Sequence, residues 1–442
     1  MTQNRPGSDH ITHEEPSGAQ GPDVVSRRVL LAGAVTVAGG ALLRSMPAST
    51  RQGATGGARP SPSALPAVTG PADPTKVVGT PTSAVSGRSP YERPARTPVG
   101  LVTGSSETPL QDLAGTITPS DLHFERLHAG VPLIDPTRHT LTIHGLVDRP
   151  LVFTLADLKR FPSVSRVHFI ECSGNGRAAY AAPRPDMTPQ QVDGLCSNTE
   201  WTGVLLATLL REVGIRPNAK WLLAEGGDAC LMARSIPVEK ALDDAIIAYA
   251  QNGEALRPSN GYPVRLVLPG WEGNTNVKWI RRIEVGTEPW MTRWETAKYT
   301  DPLPGDKARM FAFPMDAKSI ITFPAYPSTL PDRGWWRISG LAWSGRGVVT
   351  GVEVTTDGGK TWRPAVLQDP TLPKALTRFT HMWQWDGRES VLMSRAYDDT
   401  GYVQPGYAVL RKVRGIATDY HFNPIRGWRV KSDGSVVFEA ET

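Results

Sequence analysis

Beyond about Pro314 the chain is cut into short alternating runs, and no stretch keeps helical spacing. Trp335 to Leu341, Gly347 to Thr356, Trp362 to Leu367, Phe379 to Trp385 and Ser390 to Tyr397 alternate apolar and polar residues. Gly, Asp and Pro turns separate them, including Asp357-Gly358-Gly359-Lys360. A side-chain period of two fits extended strands with one buried face, and such strands in series predict an immunoglobulin-like β-sandwich over residues 314–442. No cysteine falls in this stretch, so packing alone must hold the sheets together. Tryptophans at 335, 336, 343, 362, 383 and 385 supply apolar bulk for a core.

The part before it mixes periods. His139 to Gly145 alternates as a strand, and Thr154-Leu155-Ala156-Asp157 carries a capping-box pattern that opens a helix. Arg166 to Cys172 is a further strand. Leu206, Leu209, Leu210 and Val213 share one helical face, closed by Gly214. Ile246 to Tyr249 with Asn252-Gly253 reads as a hairpin, and Val264 to Pro269 and Val277 to Val285 as strands. Short helices scattered among strands predict an α+β domain over residues 101–313. A chain of 442 residues is too long for one core.

Ahead of these, residues 1–45 predict a twin-arginine export signal, with Ser26-Arg27-Arg28 directly before a short apolar run ending at Leu43. The expected destination is the periplasm, and cargo of that route is often loaded with a cofactor before export. Residues 46–100 are Pro, Ser, Gly, Ala and Thr with few bulky side chains, and predict an unstructured linker. The net charge of +5 comes without any long Lys/Arg run. That argues against nucleic acid as a partner and suits a pocket for a small anion. Cys172, Cys196 and Cys230 are too far apart for a Cys-x-x-Cys zinc site or for haem attachment, so no haem is expected in this chain.

Phe169-Ile170-Glu171-Cys172-Ser173-Gly174-Asn175-Gly176-Arg177 is an apolar run that stops at a thiol, followed by turn residues and a cation. A cysteine there can ligate a soft metal beside an anion. Read alone, the stretch fits a buried core cysteine better. Cys196 and Cys230 read as structural, paired or simply buried.

Patches in order along the chain decide between these readings. Phe124-Glu125-Arg126-Leu127-His128-Ala129-Gly130, the Cys172 stretch, Trp201-Thr202-Gly203-Val204 and Glu225-Gly226-Gly227-Asp228 are followed by Gly261-Tyr262-Pro263-Val264-Arg265, Val277-Lys278-Trp279 and Trp294 to Tyr299. From about residue 115 onward the chain resembles the sulfite oxidase family of molybdenum enzymes, and within it the molybdenum subunits of sulfane dehydrogenases. The resemblance implies a molybdopterin domain followed by a dimerisation sandwich, and a molybdenum-molybdopterin cofactor with Cys172 as the protein's metal ligand. It places the cofactor against Phe124, Glu125, Arg126, Leu127, His128, Asp228, Asn260, Arg265, Asn276, Val277 and Lys278. Arg126 and Arg177 are implied as cations for an anionic substrate, and Tyr299 as a hydrogen-bond donor or proton relay. Several relatives carry histidine where this chain has Asn260, which can hydrogen-bond but cannot titrate near neutral pH.

The implied activity is oxidation of sulfite or protein-bound sulfane sulfur by oxygen-atom transfer. A c-type cytochrome would take the electrons, and the chain would form a homodimer. The alternative on the same fold is a molybdenum-dependent reductase of nitrate or sulfoxides. The competing readings are an outward strand charge for Arg265 and Lys278 and a turn residue for Asp228, while without the resemblance His128 reads as an ordinary satisfied histidine and Tyr299 as a surface tyrosine.

Overall fold

The computed structural model describes residues 78–303, 305, 307–415 and 418–440. The expected export signal, and the expected linker up to residue 77, lie outside the described residues. Residues Val85–Thr442 make up one compact unit, separate from Met1–Ala84, and the strands and helices of the described residues all belong to that larger unit.

Strand pairing begins slightly earlier than composition indicated. Thr97–Gly100 pairs with Gly104–Glu107, which pairs in turn with Glu125–Leu127. Two five-stranded sheets follow. In the first, Val164–Glu171 lies beside Cys196–Leu205, then Ile246–Gln251, which also pairs with Arg265–Val267 and closes the expected hairpin with Glu254–Ala255. In the second the order is Leu151–Thr154, Thr140–Gly145, Ile280–Gly286, Trp221–Gly226, Ala233–Pro237. Thr140–Gly145 and Ile280–Gly286 run parallel there.

The helix Leu206–Val213 buries Leu206, Leu209, Leu210 and Val213, and Gly214 ends it at φ 69°, where a Cβ would be strained. With Leu141, Ile143, Leu222 and Ile283 these side chains make one apolar core. The Thr154 capping box forms as expected, with Asp157 as its acid.

The C-terminal part is an antiparallel sandwich. One sheet is Lys318–Phe323, Gly334–Trp343, Thr377–Trp385, Val366–Leu367; the other is Arg363–Pro364, Val349–Thr355, Ser390–Asp398, Gly427–Val430, Val436–Glu439. Ile320, Leu341, Trp343, Val352, Phe379, Leu392 and Trp428 interdigitate between them. Trp343, Trp383 and Trp385 are core, whereas Trp335 faces outward.

One expectation fails here. Residues Tyr407–Arg414 form a helix where the sequence carries no helical signal. Only Tyr407 and Leu410 are buried, a stripe too short to register as a period. Tertiary contacts hold it instead, since the Tyr407 hydroxyl donates to the Tyr180 carbonyl and the Tyr180 hydroxyl to that of Gly415, each at 2.9 Å.

The sandwich also reaches back to the Cys172 turn. Lys318 Nζ donates to Glu171 Oε1 at 2.8 Å and to Asp193 Oδ1 at 2.9 Å. Trp343 Nε1 donates to the other Glu171 oxygen at 2.7 Å, and Asn175 Nδ2 to Oε1 at 2.9 Å. All five side chains are buried. The residue before the thiol is thereby fixed by the sandwich.

Candidate active site

Cys172 follows directly on the strand Val164–Glu171 and lies in the wall of a cleft with about 680 Å³ of empty space, mouth included. Phe124, Arg126, His128, Asp228, Asn260, Arg265, Asn276, Val277, Lys278 and Tyr299 line the same cleft. Residues far apart in the chain are therefore brought together.

Glu125, Leu127 and Arg177 are not among the lining residues. Strand alternation accounts for the first two: Phe124, Arg126 and His128 face the cleft, so Glu125 and Leu127 take the other face. Glu125 is ion-paired there with Arg96 at 2.5 Å. Arg177 begins the helix Arg177–Ala181 and pairs with exposed Asp419 at 2.7 Å. Its N–H donates to the Gly174 carbonyl in the Cys172 turn at 3.2 Å, and next to its partner, Tyr420 packs its ring 5.2 Å from that of Tyr299.

Arg265 is a buried cation and Lys278 a half-buried one, and both line the cleft instead of facing outward. Arg265 donates to the carbonyls of Asn260 and Asn276 at 2.8 and 3.0 Å, and its guanidinium lies 4.9 Å from the Trp201 ring. Lys278 Nζ donates to the carbonyls of Arg126 and Ser259 at 3.2 and 2.9 Å. Among the described residues neither forms an ion pair with a carboxylate. Burial pushes the Arg265 guanidinium down to about 9. Burial, and then Arg265 itself, pushes the Lys278 ammonium down to about 7. Two desolvated cations without a counter-charge are costly unless an anion completes them.

The remaining polar side chains divide into those already satisfied and those left open. Asp228 accepts from Cys230 Sγ at 2.8 Å and from the Met232 N–H at 3.3 Å, so it is both a turn residue and part of the wall. The Asn276 side chain is used within its own turn, bonding Leu268, Trp271 and Glu272. It shapes the wall without offering polar atoms to a ligand. Asn260 Nδ2 donates to Ser120 O and Gln251 Oε1, and its Oδ1 has no partner. All three cysteines are free: Cys196 is buried, while Cys230 is half-buried.

Tyr299 Oη lies 2.9 Å from His128 Nε2, and the Tyr299 N–H donates to Tyr420 Oη at 3.2 Å. Arg234, held by Glu272 and Glu295, places its guanidinium 5.2 Å from the Tyr299 ring. Burial, then Arg126, lowers His128 to about 4, and burial raises the Tyr299 phenol. At neutral pH the pair is an uncharged imidazole beside a protonated phenol, able to hold or pass a proton without creating a charge. The Cys172 thiol is pushed up by burial and drawn down by the Gly174 N–H and by Arg126.

His123, Ser259, Gly273, Asn274 and Trp279 also line the cleft and were not anticipated. Each adjoins a recognised patch, but nothing in spacing marks it. At Gly273 a Cβ would lie 2.8 Å from the Glu171 carbonyl and 3.2 Å from Cys172 Cα, so only glycine lets that turn close over the thiol.

The family described as Oxidoreductase molybdopterin binding domain matches residues 128–294, and the Mo-co oxidoreductase dimerisation domain matches residues 309–426. The sulfane dehydrogenase SoxCD from Paracoccus pantotrophus aligns with a TM-score of 0.76 and 44% sequence identity, covering 84% of this chain and 99% of that one. The NADH nitrate reductase of Solanum lycopersicum is 34% identical over 315 residues, 64% of this chain and 34% of that protein. The NAD(P)H nitrate reductase of Hordeum vulgare is 34% identical over 313 residues, 64% of this chain and 35% of that protein. The chain spans about a third of the length of these curated relatives.

Proposed function

Since the chain belongs to the sulfite oxidase family of molybdopterin oxidoreductases, we propose that it oxidises reduced sulfur, as sulfite or as a sulfane carried on a protein, and passes the electrons to a c-type cytochrome. The reading includes a periplasmic location reached by the twin-arginine route, and a homodimer formed through the sandwich domain.

The observation that carries it is the placing of Cys172 in one cleft with Arg265, a buried cation, and Lys278, a half-buried one, neither paired with a carboxylate among the described residues. A phosphate-bearing, sulfur-ligated metal cofactor matches both features. Among the described residues no group of three or more His, Cys, Asp or Glu could hold a metal alone. A metal at Cys172 therefore needs its other donors from a cofactor. The unpartnered Oδ1 of Asn260 fits the donor-bearing edge of a pterin.

When bound, the molybdenum–pterin group supplies a redox metal that exchanges an oxygen atom and two electrons with the substrate. Cys172 would hold the metal, while Arg265 and Lys278 would neutralise the cofactor phosphate. Arg126 presents a planar cation to a substrate oxyanion. Tyr299 donates its hydroxyl hydrogen toward the reacting oxygen, with His128 Nε2 at 2.9 Å to accept or return a proton. Tyr299→Phe is expected to lower kcat roughly a hundredfold with little change in KM or molybdenum content. Unchanged kcat in steady-state assays would remove Tyr299 from the proton path.

The test is metal and pterin analysis of protein made in a molybdenum-cofactor-competent host, followed by sulfite- and thiosulfate-dependent reduction of cytochrome c. Stoichiometric cofactor with sulfur-dependent reduction is the expected result. The alternative on this fold is nitrate reduction, which the 34% identity to nitrate reductases supports less well than the 44% identity to SoxCD supports sulfur oxidation. Stoichiometric cofactor, no electron transfer from either sulfur compound and nitrate-dependent oxidation of reduced viologen would establish that activity instead.

A further inference from the structure

His123 is 2% exposed, lines the cleft, and has one ring nitrogen without a partner. Its Nδ1 lies 2.9 Å from the Phe124 carbonyl. A carbonyl oxygen can only accept, so Nδ1 must carry the hydrogen, and the neutral ring then presents a bare lone pair at Nε2. The ring cannot turn away, because it is stacked on Phe124 at 5.2 Å and meets Trp201 edge-on at 5.6 Å.

We propose that His123 Nε2 and Asn260 Oδ1 form an acceptor wall that binds the N–H edge of the pterin ring, making His123 a cofactor-positioning residue fixed by the Phe124 carbonyl. The inference rests on the molybdopterin reading of the cleft.

Both atoms are acceptors, as is the third unpartnered atom of the lining, Asn274 Oδ1, and the His123 and Asn260 side chains are almost wholly buried. A buried lone pair repels an anion oxygen and is satisfied by an N–H. A free oxyanion would engage the Arg265 and Lys278 side of the cleft and leave this wall unmet. A fused nitrogen heterocycle bearing N–H groups and a phosphate tail meets both. Protonation does not alter the assignment: burial holds His123 down to about 3, and Arg265, Lys278 and Arg96 add to that. Asp228 and Glu125 on the neighbouring stretches are not among its partners.

The experiment compares wild type, His123→Phe and His123→Gln, all made in a cofactor-competent host. Phenylalanine keeps the stacking surface and removes the lone pair, while glutamine restores an acceptor. Pterin and molybdenum per chain are measured first. Release of pterin from diluted protein is then followed by the fluorescence of its oxidised form in the filtrate, and the apo-proteins are melted in parallel. The expected result is roughly tenfold faster pterin release from His123→Phe, near wild-type release from His123→Gln, and matching apo melting temperatures. Wild-type retention in His123→Phe would overturn the inference. So would His123→Gln releasing pterin as fast as His123→Phe with both apo-proteins melting like wild type. Wild-type protein isolated without pterin would overturn the molybdopterin reading, and this inference with it.

Discussion

Cys172→Ser is expected to lower turnover with sulfite or thiosulfate by more than about 100-fold, since changing only an outer partner of a metal ligand commonly costs about 10- to 100-fold. A serine hydroxyl is harder than a thiolate and is not ionised at neutral pH, so it is a poor donor to a metal that prefers sulfur. The fold should hardly notice. The Cys172 main chain is kept by its own bonds, with its N–H donating to the Leu195 carbonyl at 2.9 Å and its carbonyl accepting from Asn175 at 2.9 Å. The melting temperature of the cofactor-free variant should match wild type. Steady-state rates and thermal melts check the two halves separately, and a fully active variant would remove Cys172 from the chemistry.

Lys318→Met should act the other way, on stability first. Its ammonium is shared by Glu171 and Asp193, and all three groups are almost fully excluded from water. Asp193 Oδ2 already lacks a partner. Removing the cation leaves two carboxylates to share a buried site, and breaking such a pair typically costs about 3–5 kcal/mol. The denaturant midpoint should fall accordingly with little change in slope. Glu171→Gln with Asp193→Asn in the same chain should recover much of the loss, because neutral amides need no counter-charge. A Lys318→Met midpoint equal to wild type would mean that the carboxylates are neutral or hydrated, contrary to the buried ion pairs. Because Glu171 precedes Cys172, such a loss also loosens the thiol.

Where periodicity and local chemistry agree, the elements were legible from the sequence. The Leu206 helix with its glycine stop, the Thr154 capping box, the Ile246 hairpin and the sandwich strands depend on near neighbours, and the structure contains them. The Tyr407–Arg414 helix was not legible because Tyr180, far away in sequence, holds it. Arg265 and Lys278 illustrate the same limit. Strand alternation cannot say which face is buried when both faces are covered, and Lys278 lies ahead of the strand Ile280–Gly286, so only the assembled cleft shows that these cations point inward. His123 was passed over because its significance lies in one unpaired nitrogen, a property of packing that no spacing rule carries. Glu125 and Leu127 lie outside the cleft lining because a strand presents only alternate residues to one side.

X-ray absorption at the molybdenum edge, recorded on the loaded wild type and on Cys172→Ser, addresses the metal–sulfur bond itself. If Cys172 ligates the metal, the serine variant shows one sulfur neighbour fewer at equal pterin content. Identical sulfur shells in the two proteins would contradict that bond.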